Sequence, residues 1–107
     1  MTSRERVVAA LSHQEPDRVP IDLGAMRSTG IMAIAYNKLK RHLGAAGDTR
    51  AYDVVQQLAE PDECILDRFG ADVVDLSRAF FDRPDDWKPW PLPDGSPALI
   101  PAWVDPE

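Results

Sequence analysis

Pro61-Asp62-Glu63-Cys64-Ile65-Leu66-Asp67-Arg68-Phe69-Gly70-Ala71-Asp72-Val73-Val74-Asp75-Leu76 reads as a helix running straight into a strand. Pro61 suits a first helical position, Asp62 and Glu63 complement the positive end of the helix, and Gly70 after Phe69 ends it. The predicted inward face is Ile65, Leu66 and Phe69. The run from Asp72 to Leu76 is short and rich in β-branched residues, the composition of a buried strand.

The same alternation extends toward the N-terminus. Thr2 followed by Glu5 forms a capping-box pattern that predicts a helix over residues 3–13, with Val7, Val8, Ala10 and Leu11 on its apolar face. Pro16 and Pro20 bracket a turn, and residues 19–23 read as a brief strand ending at Gly24. From Thr29, the spacing of Ile31, Ile34, Ala35, Leu39 and Leu43 predicts a second helix that Gly44 stops. Lys38, Lys40 and Arg41 fall in its last turns, where cations offset the macrodipole. Residues 45–49 read as a loop, and residues 52–58 fit a short strand or a helical turn equally well.

Beyond Leu76 the composition changes, with most of the ten prolines and all three tryptophans gathered in the last quarter of the chain. Leu92-Pro93-Asp94-Gly95-Ser96 carries turn chemistry between Trp90 and Leu99-Ile100, which predicts a hairpin that its prolines confine to an edge or an excursion. The expected architecture is α/β with a parallel sheet, in one domain spanning residues 1–107. Residues 1–82 would form the first α/β units and residues 83–107 the Pro/Trp-rich hairpin. Two parallel strands leave their edges uncovered, so the pattern reads as an architecture interrupted.

Bulk properties exclude several function classes. A net charge of -6 repels nucleic acid and anionic membrane surfaces. No segment approaches the roughly 20 apolar residues of a membrane helix, and the N-terminus does not resemble a signal peptide. With a single cysteine, Cys64, there is no internal disulfide, and a cytoplasmic protein is expected. His13, His42 and Cys64 are not spaced as metal ligands, and no Gly-rich phosphate loop or Ser-His-Asp arrangement is present.

In parallel α/β folds, functional groups gather beyond the C-terminal ends of the strands. That rule nominates Asp22, Gly24 and Arg27-Ser28-Thr29-Gly30 after the first expected strand, and Asp75, Ser77 and Arg78 after the second. Arg27 offers a planar fork for a carboxylate or phosphate, or else pairs with Asp22 or another carboxylate nearby. Asp75 either lines the mouth of the fold or pairs with Arg78 or caps the next turn of chain, and Asp22 has a similar choice. Ser28 and Thr29 either donate to an anionic substrate or serve as N-caps for the second helix. Trp87 and Trp90 either pack the hairpin or line a substrate mouth.

Three stretches converge on a known pattern: Arg4-Glu5-Arg6-Val7, Glu15-Pro16-Asp17-Arg18-Val19-Pro20, and Arg68-Phe69-Gly70-Ala71-Asp72. Together they resemble the N-terminal region of the uroporphyrinogen decarboxylase (URO-D) superfamily, which also holds corrinoid-dependent and coenzyme M methyltransferases. The resemblance spans nearly the whole chain. It implies a triosephosphate-isomerase-type (β/α)8 barrel of roughly 250 residues or more, of which this chain would supply the first portion. In the decarboxylases of porphyrin biosynthesis, an Arg-Gln-Ala-Gly-Arg motif holds substrate carboxylates. The matching stretch here is Arg27-Ser28-Thr29-Gly30-Ile31, which retains the first arginine and replaces the second by Ile31. The position aligned with that branch's catalytic aspartate is Ala79, beside Arg78.

Losing a carboxylate clamp and an acid together removes charge-assisted contacts that such a reaction depends on, which leaves the corrinoid-linked methyltransferase branch as the better match. The resemblance then implies a small anionic substrate, a corrinoid protein as partner, and a corrinoid with a zinc ion in the complete enzyme. The zinc ligands would lie late in that enzyme, and none is assigned in this segment; the decarboxylase branch needs no cofactor. Substrate-binding residues would be Arg27, Asp22 and Asp75. Homo-oligomerisation is a further expectation. The segment alone is expected to be catalytically incomplete, and a non-catalytic binding module or an inactive truncated product are the competing readings.

Overall fold

The computed structural model describes residues 1–106; Glu107, the last residue of the expected excursion, and the side chain of Ala79 lie outside the described residues. Thr2 Oγ1 accepts from the Glu5 amide at 3.2 Å and Glu5 Oε2 accepts from the Thr2 amide at 2.7 Å, closing the capping box of α1 (Ser3–Leu11). The face that α1 buries is not the apolar one. Arg6 and Ala9 are buried, whereas Val8 is exposed and Leu11 is 77% exposed.

That inversion has an electrostatic cause. The enclosed Asp72 carboxylate accepts from Ser3 Oγ at 2.8 Å, Arg6 Nη1 at 2.6 Å, Arg18 Nη1 at 2.7 Å and the Ile21 amide at 2.8 Å. Arg6 also grips Asp17 through Nε at 2.6 Å and Nη2 at 2.9 Å. The Ile21 amide and the guanidinium groups of Arg18 and Arg6 hold Asp72 far below the ordinary carboxylate range. Arg6 holds Asp17 down to about 2. The three stretches that carry the family resemblance thus meet at one ion cluster.

Neither expected parallel strand forms. Residues 19–23 and 72–76 touch through one backbone bond, from the Asp72 amide to Ile21 O at 2.8 Å, and then run on without a ladder. Their β-branched residues favour an extended chain, but a strand exists only through its partner. Val19 and Val74 are exposed, and Leu76 is 85% exposed. The third helix, α3, covers Glu63–Arg68 with Asp62 as its N-cap, so Pro61 precedes it instead of opening it. Phe69 is 43% exposed, not buried with Ile65 and Leu66 as expected.

The sheets that do form are antiparallel. β1 (Ile31–Met32), β2 (Ala51–Asp53) and β3 (Leu58–Ala59) lie in the order β1-β3-β2, with Ile31 opposite Ala59 and a register shift between Ala51 and Asp53. Residues 52–58 therefore combine strand and turn. Because β1 takes Ile31 and Met32, the second helix, α2 (Ala33–Leu43), starts later than its periodicity predicts and is not capped by Ser28 or Thr29. Gly44 ends it with φ 68°, as expected of a helix stop.

Ala33, Tyr36 and Lys40 form the buried side of α2. Lys40 does more than offset a dipole: its ammonium donates to Gly47 O at 2.9 Å and Asp48 O at 3.2 Å and lies 3.1 Å from Asp62 Oδ2. Tyr36 Oη donates to Asp62 Oδ2 at 2.6 Å and accepts from the Asp62 amide at 2.7 Å, tying α2 to the entry of α3.

The expected hairpin consists of β4 (Trp87–Pro91) and β5 (Pro97–Pro101), paired from Trp87 opposite Pro101 to Pro91 opposite Pro97. It is stitched into the fold. Leu99 donates its amide to Thr49 O at 2.7 Å, and Asn37 Nδ2 donates to Ser96 Oγ at 3.0 Å and Pro97 O at 3.1 Å. Leu92, Ala98 and Ile100 join Ala33, Tyr36, Ala51, Ala59 and Ile65 in the core. The protein is a mixed α/β fold, built among the described residues from short helices and antiparallel sheets.

Candidate functional site

The tight turn after Leu23 begins the site. Gly24 adopts φ 79°, and a β-carbon there would stand 2.7 Å from Pro61 Cγ, so the position requires glycine. Its amide donates to Thr29 O at 2.9 Å, closing a loop that carries Arg27 outward. Asp22 Oδ1 accepts from the Ala25 amide at 2.9 Å and so shapes this turn without lining the adjoining cleft.

That cleft, about 340 Å³, lies between the Arg27 loop, the segment after Asp75 and the base of the hairpin. Arg27, Tyr52, Asp75, Ser77 and Arg78 form its polar side, and Phe81, Trp87 and Trp103 its aromatic side. A shallower groove of about 570 Å³ shares Arg27, Tyr52, Asp75 and Ser77. Two of the three site residues nominated from sequence, Arg27 and Asp75, therefore meet in space.

The charged groups of the cleft each have a defined partner. Arg27 pairs with Asp53, not Asp22, through Nε at 2.6 Å, while its side chain stays 66% exposed and its Nη groups have no protein partner among the described residues. Asp53 is held low chiefly by the Gln56 amide, then by Arg27. Asp75 Oδ1 accepts from the Ser77 amide at 2.8 Å, capping the 3₁₀ turn over Leu76–Phe80, so it caps and also lines the cleft. Arg78 pairs with Glu60 at 2.9 Å through Nε and also donates from Nη2 to Pro61 O.

The aromatic wall is pinned as well. Trp87 Nε1 donates to Phe81 O at 2.8 Å, the Arg50 guanidinium stands 5.0 Å over the Trp87 ring, and the Phe81 and Trp103 rings lie 4.8 Å apart. Trp90, the other tryptophan nominated from sequence, packs against the core.

No protein-family model, curated protein or solved structure matches this chain.

Tyr52 and Asp53 carry no signal in the sequence because their segment lacks a single periodicity, and Asp53 lies 26 residues from the arginine it holds. Tyr52 Oη is a buried side-chain polar atom with no hydrogen-bond partner among the described residues, and burial raises its pKa, so it stays a neutral hydroxyl. Ile31, matched to the decarboxylases' second arginine, pairs with Ala59 and packs against the core, away from the cleft. Ala79 lies outside the described side chains. Among the described residues no group of three or more His, Cys, Asp or Glu side chains gathers in a way that would hold a metal ion, and Cys64 is exposed and free. Among the described residues no helix is long and apolar enough to cross a membrane.

Proposed function

We propose that this chain is the N-terminal part of a URO-D-like barrel enzyme, a cytoplasmic, corrinoid-linked methyltransferase in which Arg27 binds a carboxylate of the substrate. The observation that carries this reading is the open Nη edge of Arg27, facing a cleft that also receives Asp75, Ser77 and Arg78 from a distant loop. A guanidinium fixed at Nε and open at its other nitrogens presents a ready bidentate donor pair. The reading draws on one backbone bond, from the Asp72 amide to Ile21 O, at which the two segments with strand-like sequence touch. Their exposed residues, Val19, Val74 and Leu76, are where further strands would add.

The methyltransferase branch is favoured over the decarboxylase by residue 31, where the decarboxylase motif carries its second arginine and this chain carries Ile31, which packs against the core and does not line the cleft. The family's zinc finds no ligand group among the described residues, so no residue here is assigned to it or to a corrinoid, and no step runs through either. What this chain's own residues do is bind and orient. Arg27 neutralises a carboxylate, Asp75 and Ser77 add polar groups to the same cleft, and the Trp87 and Trp103 rings supply apolar lining.

The test uses the complete polypeptide encoded with these residues, assayed by visible absorbance for methyl transfer to cob(I)alamin from a small carboxylate-bearing donor, glycine betaine, which leaves as dimethylglycine, and for carbon dioxide release from uroporphyrinogen. Methyl transfer without carbon dioxide release supports the reading. Carbon dioxide release moves the protein to the decarboxylase branch. Neither activity, with a stable monomer of this length alone, favours a non-catalytic binding module, for which the exposed Phe80 and Trp103 beside the cleft would be the docking residues.

A further inference from the structure

We propose that the cleft selects a small zwitterion, a ligand carrying both a carboxylate and a cationic amine on an apolar body. This rests on the reading of Arg27 as a carboxylate-binding residue and adds the second charge.

Two basic groups, Arg27 and Arg78, and two acidic ones, Glu60 and Asp75, line the cleft. Arg78 and Glu60 neutralise each other at 2.9 Å. Arg27 is likewise paired, with Asp53 at 2.6 Å, but through Nε alone, so it and Asp75 each keep a free edge. Arg27 uses only Nε, on Asp53, and Asp75 uses only Oδ1, on the Ser77 amide, leaving Oδ2 without a protein partner among the described residues.

A simple anion would satisfy Arg27 and be repelled by Asp75, and a simple amine would meet the reverse. A molecule with both groups satisfies both, and the charge it brings to the cleft sums to zero. Phe81, Trp87 and Trp103 line the same cleft, a surface suited to an apolar body and to the face-on approach of a cation. A volume of about 340 Å³ suits a ligand of amino-acid size. Tyr52 supports the same reading: the residue lines this cleft and the adjoining groove, and its buried hydroxyl lies in the field of Arg27, Asp53, Asp75 and Glu60 and lacks a partner among the described residues. An orphaned polar group at such a place is one that a bound molecule or a held water relieves.

The experiment titrates the full chain with L-phenylalanine, 3-phenylpropionate and 2-phenylethylamine, following tryptophan fluorescence and confirming by calorimetry. These share one apolar body and carry both charges, the carboxylate alone, or the amine alone. L-Phenylalanine should bind about ten- to a hundredfold more tightly than either partial analogue. Arg27→Gln should remove its advantage over 2-phenylethylamine, and Asp75→Asn, which keeps the capping oxygen, its advantage over 3-phenylpropionate. Glycine betaine replaces the amine by a quaternary ammonium. Its binding in preference to L-phenylalanine, with the same dependence on Arg27 and Asp75, would support the zwitterion and assign the cation to the aromatic wall.

Equal binding of 3-phenylpropionate and L-phenylalanine, lost in Arg27→Gln and untouched in Asp75→Asn, overturns the zwitterion while leaving Arg27 as a carboxylate site. Binding indifferent to Arg27→Gln overturns both. No binding of any of the four probes at millimolar concentration overturns the zwitterion, because the site would then not recognise the paired charges.

Discussion

Arg6 and Asp72, 66 residues apart, are joined by a hydrogen bond of 2.6 Å in which a guanidinium on the first helix donates to a carboxylate that no solvent reaches. Asp72 also receives Arg18, Ser3 and the Ile21 amide, so one carboxylate holds α1, the Pro16–Pro20 turn and the chain after α3. Removing it leaves Arg6 with Asp17 as its one carboxylate, Arg18 with backbone carbonyls alone and the Ile21 amide without its acceptor, which is far costlier than losing a solvated pair. Asp72→Ala should lower the melting midpoint by roughly 10 °C or more, whereas Glu15→Ala on the exposed surface should leave it within about 2 °C. Thermal melts followed by circular dichroism would decide it.

The same cluster sets the acid response. Asp72 and Asp17 both bind protons more weakly folded than at their ordinary value of 3.8, with Asp17 brought down to about 2. Depressed carboxylates contribute stability that is complete above the unfolded value and is lost as pH falls through the folded one. Urea unfolding should therefore show stability independent of these groups near pH 6 and falling from about pH 4 toward pH 2. In Asp72→Asn that fall should be shallower, starting from a lower plateau. An unchanged slope would remove Asp72 from the account of acid stability.

Tyr36 and Asp62 exchange two hydrogen bonds, with Lys40 3.1 Å from the same carboxylate. Tyr36→Phe keeps the ring packed in the core but leaves the Asp62 amide without its acceptor. A loss of about 1–3 kcal/mol is expected in denaturant unfolding.

Gly24 presents the opposite case, where adding one carbon is the perturbation. A β-carbon at φ 79° would be strained, and its closest neighbour is the fully buried Pro61 ring, 2.7 Å away. Gly24→Ala should cost about 2–4 kcal/mol and displace the Arg27 loop. Heteronuclear NMR should show amide shifts spreading from residues 22–30 to the cleft, and shifts confined to residue 24 and its chain neighbours would contradict this.

Short-range chemistry is the legible part of this sequence. The Thr2–Glu5 box, the Gly44 stop and the Pro93-Asp94-Gly95 turn each depend on residues a few positions apart, and each forms. The strands β1, β2 and β3 are only two or three residues long, too short for a period to register, so helical spacing claims Ile31 for a helix that begins at Ala33. Val73-Val74 has the composition of a strand because its residues prefer extension, but pairing is decided by what lies alongside. In the site, loop position is enough to nominate Arg27 and Asp75. Their setting is not legible in the same way, since Asp53 and Tyr52 reach the cleft only through the antiparallel sheet.

Steady-state kinetics of the complete polypeptide test most directly the proposed contact of Arg27 with a substrate carboxylate. Arg27→Gln should lower kcat/KM by about tenfold to a hundredfold with the melting midpoint unchanged. Asp22→Asn, which keeps the turn bond to the Ala25 amide and lies outside the cleft, should leave kcat/KM as it was. Wild-type kcat/KM in Arg27→Gln would contradict the claim.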